Sequence, residues 1–157
     1  YVNSDPDGIV NVASRAHVRG TIAFDDLQAE RSFGGWSAYS QSKLANILFT
    51  RELSRRLQGT GVTCNCLHPG VVSTGFGKND SGWMRWAVKI AAPFLRTPEQ
   101  GAATTVFLAQ SPAVEGVTGK YFSDCKEIEP SKEARDAEVA QRLWEVSEQL
   151  TGLGKDS

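Results

Sequence analysis

Two short apolar runs, Ile9–Ala13 and Val62–Leu67, stand on either side of a long stretch with helical periodicity. That alternation is what most restricts the fold. Ile9-Val10-Asn11-Val12-Ala13 is too short for a stable helix and reads as a buried strand ending at Ser14. From about Trp36 to Leu57, the residues Leu44, Ile47, Leu48, Phe49, Leu53 and Leu57 form a broad apolar face, while Arg51, Arg55 and Arg56 stay polar. Gly59 and Gly61 stop this helix. Val62–Leu67 is a second strand, closed by His68-Pro69-Gly70. Consecutive strands joined through a helix call for a right-handed crossover and a parallel sheet.

The same reading covers the rest of the chain. Asp5-Pro6-Asp7-Gly8 is a turn, and residues 15–35 are a polar loop with Gly34-Gly35 before the helix. Residues 70–80 form another loop. Residues 81–95, with Trp83, Met84, Trp86, Val88, Ile90, Phe94 and Leu95, suit a short amphipathic helix. Pro98 opens a further helix through about Gln110, and Gly119–Ser123 is a third strand. Ser131 is expected to cap a last helix carrying Val139, Leu143, Trp144, Val146 and Leu150. The order β-α-β-α-β defines an α/β fold with about three parallel strands and flanking helices.

The chain's 157 residues suffice for a single domain, 1–157, with its own core. A formal net charge of −1 gives no electrostatic case for nucleic acid or an anionic membrane. The longest apolar candidate, Ala87–Leu95, is broken by Lys89 and Pro93, so no segment reaches the ~20 residues of a membrane span. Cys64, Cys66 and Cys125 form no metal-binding pattern and read as reduced thiols of a cytosol-facing protein. Asn79-Asp80-Ser81 matches a glycosylation acceptor, a tripeptide common by chance.

Within the first helix, Tyr39-Ser40-Gln41-Ser42-Lys43 puts a phenol and an ammonium one turn apart on one face. A free tyrosine titrates near pH ~10, too high for a proton donor that recycles at neutral pH. Lowering it by roughly 3 units takes about 4 kcal/mol. A cation at about 4 Å supplies about that much at an effective dielectric near 20. The spacing suits a tyrosine acid/base tuned by a lysine. The plainer reading is an exposed, solubilising pair. The apolar face below it, which must pack on something, favours the first. Ligands of open α/β sheets bind at the carboxyl ends of strands. Ser14, Pro69-Gly70 and the amino-terminal end of the Tyr39/Lys43 helix all fall at that edge.

Asn11-Val12-Ala13-Ser14, Tyr39-Ser40-Gln41-Ser42-Lys43 and Pro69-Gly70-Val71-Val72-Ser73-Thr74 resemble, in order, three motifs of the short-chain dehydrogenases/reductases. These are the active-site serine strand, the Tyr-x-x-x-Lys helix and the Pro-Gly cofactor loop. The likeness covers nearly the whole chain. Ser42–Phe49, Gly119–Cys125 and Arg142-Leu143-Trp144 narrow it to the retinol dehydrogenase branch.

The resemblance implies a Rossmann-like, doubly wound fold of which this chain is the carboxyl-terminal half. It implies an oxidoreductase that moves a hydride between NADP(H), ahead of NAD(H), and a lipophilic aldehyde or alcohol such as retinal or retinol. Tyr39 would be the general acid in reduction and the base in oxidation. Ser14 would hydrogen-bond the substrate oxygen. Lys43 would lower the Tyr39 pKa and, with Tyr39, bind the nicotinamide ribose. Thr74, with the backbone of Pro69, Gly70 and Val72, would hold the nicotinamide carboxamide. Homodimerisation is left open. An anchor upstream of this segment would tie the protein to the endoplasmic reticulum. The family's glycine-rich pyrophosphate loop, its selector of NAD or NADP and its further asparagine are expected upstream of residue 1, since no Gly-x-x-x-Gly-x-Gly-like cluster occurs here. Ala13 stands where serine is commoner, a harmless exchange. His68 reads as a strand-end packing residue and His17 as a loop residue.

In the resembled family, the region Gly82–Leu95 lids the substrate pocket. Its apolar side chains would favour a long aldehyde or ketone over a sugar, whose unpartnered hydroxyls would cost about 1–3 kcal/mol each. The alternative is that this stripe packs on the body of the domain; a membrane-surface role for Trp83, Trp86 and Phe94 is weaker still. From another class, the rival to an enzyme is a catalytically incomplete segment that keeps the shape as an interaction module.

Overall fold

A computed structural model describes residues 8–70 and 97–153. Strand β1, Gly8–Val12, leads through a 3-10 turn, Arg15–Arg19, to helix α1, Gly35–Arg56. Strand β2, Thr63–Leu67, is followed in the described residues by helix α2, Pro98–Gln110, and a 3-10 turn at Pro112–Val114. Strand β3, Tyr121–Ser123, and the two-residue strand β4, Lys126–Glu127, come next. A 3-10 turn at Glu133–Arg135 precedes helix α3, Ala137–Thr151. The sheet order is β1-β2-β3-β4. The β1–β2 and β2–β3 pairs are parallel, in the register Val12↔Leu67 and Leu67↔Phe122, and the β3–β4 pair is antiparallel. The α/β architecture and parallel strands are those expected. β4 is an addition, turned back on β3 through Asp124 and Cys125, both in the left-handed region.

Alternation along the strands divides the core between two faces. Cys66 and Tyr121 face α1 and α3, packing with Leu44, Ile47, Leu48, Ala140 and Leu143. Their neighbours Leu67 and Phe122 join Leu108 of α2 on the opposite face, with Val10 and Phe107 against them. Helices thus cover both faces, as strands that are apolar on both sides require. No helix among the described residues is long and apolar enough to cross a membrane.

The helix ends have local causes. Thr97 and Gln100 form a reciprocal capping box at α2, and Pro98 needs no backbone donor there. α3 is capped by Asp136, which accepts from Glu138 and Val139, each at 3.0 Å. The expectation that Ser131 caps this helix is corrected: its hydroxyl accepts from Ala134 and starts the Glu133–Arg135 turn. Residues 15–35 are likewise not all loop, because Ser14 accepts from Ala16 and caps the Arg15–Arg19 turn. The far end of α1 is tied to α3. The buried Glu52 holds Arg55 and Arg56, and Arg56 also reaches Glu148 at 3.7 Å and lies over the Trp144 ring.

The segments expected at 81–95 and in the loop 70–80 fall, apart from Gly70, outside the described residues, as does the turn expected at Asp5–Gly8, Gly8 apart.

Candidate active site

α1 runs back along β1, so its first turns overhang the strand's carboxyl end. Two hydrogen bonds set the alignment. The Asn11 carboxamide, polar in an otherwise apolar strand, donates to Thr50 at 3.0 Å. One helical turn earlier, the Asn46 carboxamide donates to the Val12 carbonyl at 3.0 Å. Residues 39, 43, 46 and 50 lie on one helical stripe. Its lower half is stitched to β1, so its upper half, Lys43 and Tyr39, stands beyond the strand end.

Ser14 lies two residues past β1, and Pro69 two residues past β2. Since Val12 pairs with Leu67, both leave the sheet at the same edge. The Ala13 amide still donates to the Leu67 carbonyl at 2.7 Å, so the strand pair holds its spacing up to Ser14. The Ser14 hydroxyl accepts the Ala16 amide at 3.2 Å. A hydroxyl carries one proton and two lone pairs, so the Ser14 proton stays available to a substrate oxygen. Gly70, with φ 78°, turns the chain sharply after Pro69, and its amide donates to His68 Nδ1 at 3.1 Å. Val72 and Thr74 lie outside the described residues.

Tyr39 is 38% exposed, and among the described residues its hydroxyl has no hydrogen-bond partner. The Lys43 ammonium stands 5.6 Å from the centre of its ring. Trp36, itself exposed, tilts against the same ring at 5.9 Å. The first turns of α1 therefore present a phenol, an ammonium and an apolar wall on one open surface.

The loop beneath is held to α1 as well. Gln41, inside the Tyr-x-x-x-Lys motif, accepts from the Ala23 amide at 2.8 Å and donates to the Leu27 carbonyl at 3.2 Å. Gly20 lies so close that a Cβ there would stand 2.5 Å from the Ser40 carbonyl oxygen. Asn46 and Gln41, though inside recognised segments, and Gly20, outside any motif, join the site in ways that sequence reasoning did not assign them. The one available signal is Asn11, since a polar residue inside a buried strand needs a partner. His68 is a buried strand-end residue, as expected. His17, expected in a loop, is buried within the Arg15–Arg19 turn.

These features define an open α/β sheet with Ser14, Tyr39, Lys43 and Pro69-Gly70 gathered at the carboxyl ends of its parallel strands. A family model described as Enoyl-(Acyl carrier protein) reductase matches residues 11–123, and the chain belongs to the short-chain dehydrogenase/reductase family, in its retinol dehydrogenase-like branch. It is 48% identical to human retinol dehydrogenase 14 over 98% of its own length and 46% of that protein's. It thus spans about half the length of the curated relatives it matches. A crystal structure of an uncharacterised protein from Mycobacterium paratuberculosis is similar with a TM-score of 0.69 and 31% identity, covering 94% of this chain and 51% of that one. A protein from Beutenbergia cavernae, described as a NAD(P) dependent gluconate 5-dehydrogenase and solved with bound NADP, is similar with a TM-score of 0.52 and 29% identity, covering 76% of this chain and 45% of that one.

Proposed function

We propose that residues 1–157 form the carboxyl-terminal, catalytic part of an NADP(H)-dependent dehydrogenase/reductase that interconverts a lipophilic carbonyl compound, such as retinal, with its alcohol. The observation that carries this is the stripe on α1, whose hydrogen bonds to β1 leave Tyr39 and Lys43 overhanging the edge from which Ser14 emerges. The donor set suits a dinucleotide. A hydroxyl and an ammonium share one exposed stripe beside the carboxyl ends of parallel strands, where such ligands bind. Lys43 and Tyr39 would hold the nicotinamide ribose, and the Pro69–Gly70 segment, with Val72 and Thr74, its carboxamide. When bound, the cofactor supplies or accepts the hydride.

The chain's own residues manage the oxygen and its proton. Ser14 donates its free hydroxyl hydrogen to the substrate oxygen and stabilises charge developing there. Tyr39 gives a proton to that oxygen during reduction and takes it back during oxidation. Lys43 steadies the phenolate that forms. The exposed Trp36 adds an apolar surface beside the reacting group. The relatives named retinol dehydrogenase favour a retinoid or similar lipid substrate. The branch resemblance favours NADP(H), and three reduced thiols suit a cytosol-facing setting.

The test is Tyr39→Phe in the full-length protein. Turnover should fall by about 10²–10⁴-fold, the usual contribution of a positioned acid/base, with NADPH affinity affected far less because Lys43 still holds the ribose. Near-normal turnover would remove Tyr39 from the chemistry. Retinal, medium-chain aldehydes and aldoses, compared by kcat/KM, test the substrate class. A preference for aldoses would sink the lipid reading and leave the reductase intact.

A further inference from the structure

His17 is only 3% exposed, and both of its ring nitrogens are occupied. Nδ1 lies 2.7 Å from the Ser14 carbonyl oxygen, and Nε2 lies 3.2 Å from the Ser131 amide nitrogen. A carbonyl can only accept and an amide N–H can only donate. Nδ1 must therefore carry the proton and Nε2 the lone pair, which makes the ring neutral and fixes its tautomer. Burial also holds its pKa below the ordinary histidine value.

The ring cannot swing away. Tyr121 of β3, itself buried, meets it edge to face at 5.2 Å. The anchor at the far side is firm as well. The Ser131 hydroxyl accepts from the amide of Ala134 at 3.3 Å, and Ala134 is fully buried in the core beside α1 and α3. The Ser14 carbonyl also accepts the His17 amide at 3.1 Å. One residue therefore grips the backbone of Ser14 twice and ties it, through its side chain, to a segment 114 positions away. The turn it belongs to closes on Gly20, which presses against Ser40 next to Tyr39.

We infer that His17 is a positioning residue: its imidazole bridges the Ser14 carbonyl to the Ser131 amide and so fixes where the Ser14 hydroxyl meets the substrate. This inference rests on the role proposed above for Ser14. His17 touches neither substrate nor cofactor and acts only through the backbone that carries that hydroxyl. A displacement of about 1 Å at a reacting group is enough to cost about 10²-fold in rate.

The test is a double-mutant cycle in the full-length protein with Ser14→Ala, His17→Phe and the pair, read as kcat and KM separately. His17→Phe should lower kcat by about 10-fold or more, with KM little changed. In the Ser14→Ala background it should lower kcat no further. His17→Gln, which keeps a donor and an acceptor, should recover part of the loss and serves if His17→Phe does not fold. An equal loss in both backgrounds would mean that His17 only supports the fold, and it would overturn this inference alone. Unimpaired turnover in Ser14→Ala would overturn both this inference and the role given to Ser14. Nitrogen-15 NMR of the imidazole in the unmutated protein tests the bridge without any substitution: the neutral Nδ1–H form is expected, and an Nε2–H form would overturn the bridge.

Discussion

The side-chain amide of Asn46 donates to the carbonyl oxygen of Val12 at 3.0 Å, on the side of β1 that faces away from β2. The side follows from parity: Ala13 points its amide at Leu67, so Val12 points its peptide groups the other way. One contact thus satisfies an acceptor that has no strand beside it in the described residues and sets the height of α1 along β1. Asn46→Ala should lower stability by about 1 kcal/mol, the typical worth of such a hydrogen bond. A urea titration checks this through its midpoint. An unchanged midpoint would show that water replaces the contact without loss.

Lys43→Ala should reduce both the rate and the affinity for NADPH in the full-length protein, because in the role proposed one ammonium would serve the phenol and the ribose. Lys43→Arg should not fully restore either, since a planar guanidinium spreads its charge and donors differently. Calorimetry for binding and single-turnover kinetics for the rate separate the two effects. A loss confined to one of them would divide the role assigned to this side chain.

Gly20→Ala puts a methyl group 2.5 Å from the Ser40 carbonyl oxygen and 3.0 Å from the Leu44 Cβ, both on the buried side of α1. Neither neighbour can swing aside, so the turn must lift from the helix. Overpacking of this kind costs typically about 1–3 kcal/mol. Thermal unfolding should register it as a lower Tm. A variant as stable as the parent would show that the loop has room to slide.

Stability should fall as the pH drops through the histidine range. The neutral ring of His17 is favoured in the fold, chiefly by burial, with the nearby Arg15 acting in the same sense and the Ser14 carbonyl and Glu133 opposing. The unfolded chain therefore binds the proton more readily, and stability rises with pH across this interval. The contribution is complete above the unfolded pKa of ~6.5 and is lost as pH falls through the lower folded value. His17→Gln should flatten this part of the profile in denaturant titrations that run downward from about pH 7.5, above the ordinary histidine pKa of ~6.5. An equally steep profile in the variant would assign the effect elsewhere.

Burial pushes the Cys64 thiol up to about 11 and the Cys66 thiol up to about 12. Both should stay protonated and unreactive at about pH 8, since the thiolate is the nucleophile. Cys125 is partly exposed. A thiol reagent should titrate one cysteine in the native chain and all three after denaturation. Rapid reaction of every thiol would show that β2 opens readily.

Much of this arrangement is legible in the sequence because periodicity reports burial directly. The runs at β1 and β2 and the apolar face of α1 give bounds within about one residue of those found, Gly35–Arg56 for the helix against Trp36–Leu57. Tyr39 and Lys43 are legible for the same reason, as helical spacing alone puts them on one stripe. The capping of α3 is not, because Ser131 and Asp136 are both competent caps and only the packing of Ala134 decides that a turn intervenes. β4 leaves no trace, since its hairpin needs a left-handed backbone at Cys125, a residue that carries no signal for it. Asn46 and Gln41 look like solvent-facing amides until the third dimension shows their backbone partners. His17 shows how little a lone histidine reveals, as its role depends on a residue near the other end of the chain.

The parallel pairing of β1 with β2 has a consequence for how the molecule is made. β1 leaves the ribosome before α1, yet the strand that pairs with it follows that helix, and β3 follows α2 in turn. Helix turns form within about a microsecond, whereas the sheet must wait for chain closure across whole helices. Through that interval β1 lacks its partner β2, and nascent chains with such segments exposed tend to stick to one another. Yield of folded protein should therefore depend on the pace of synthesis and on chaperone supply more than on the final stability of the fold.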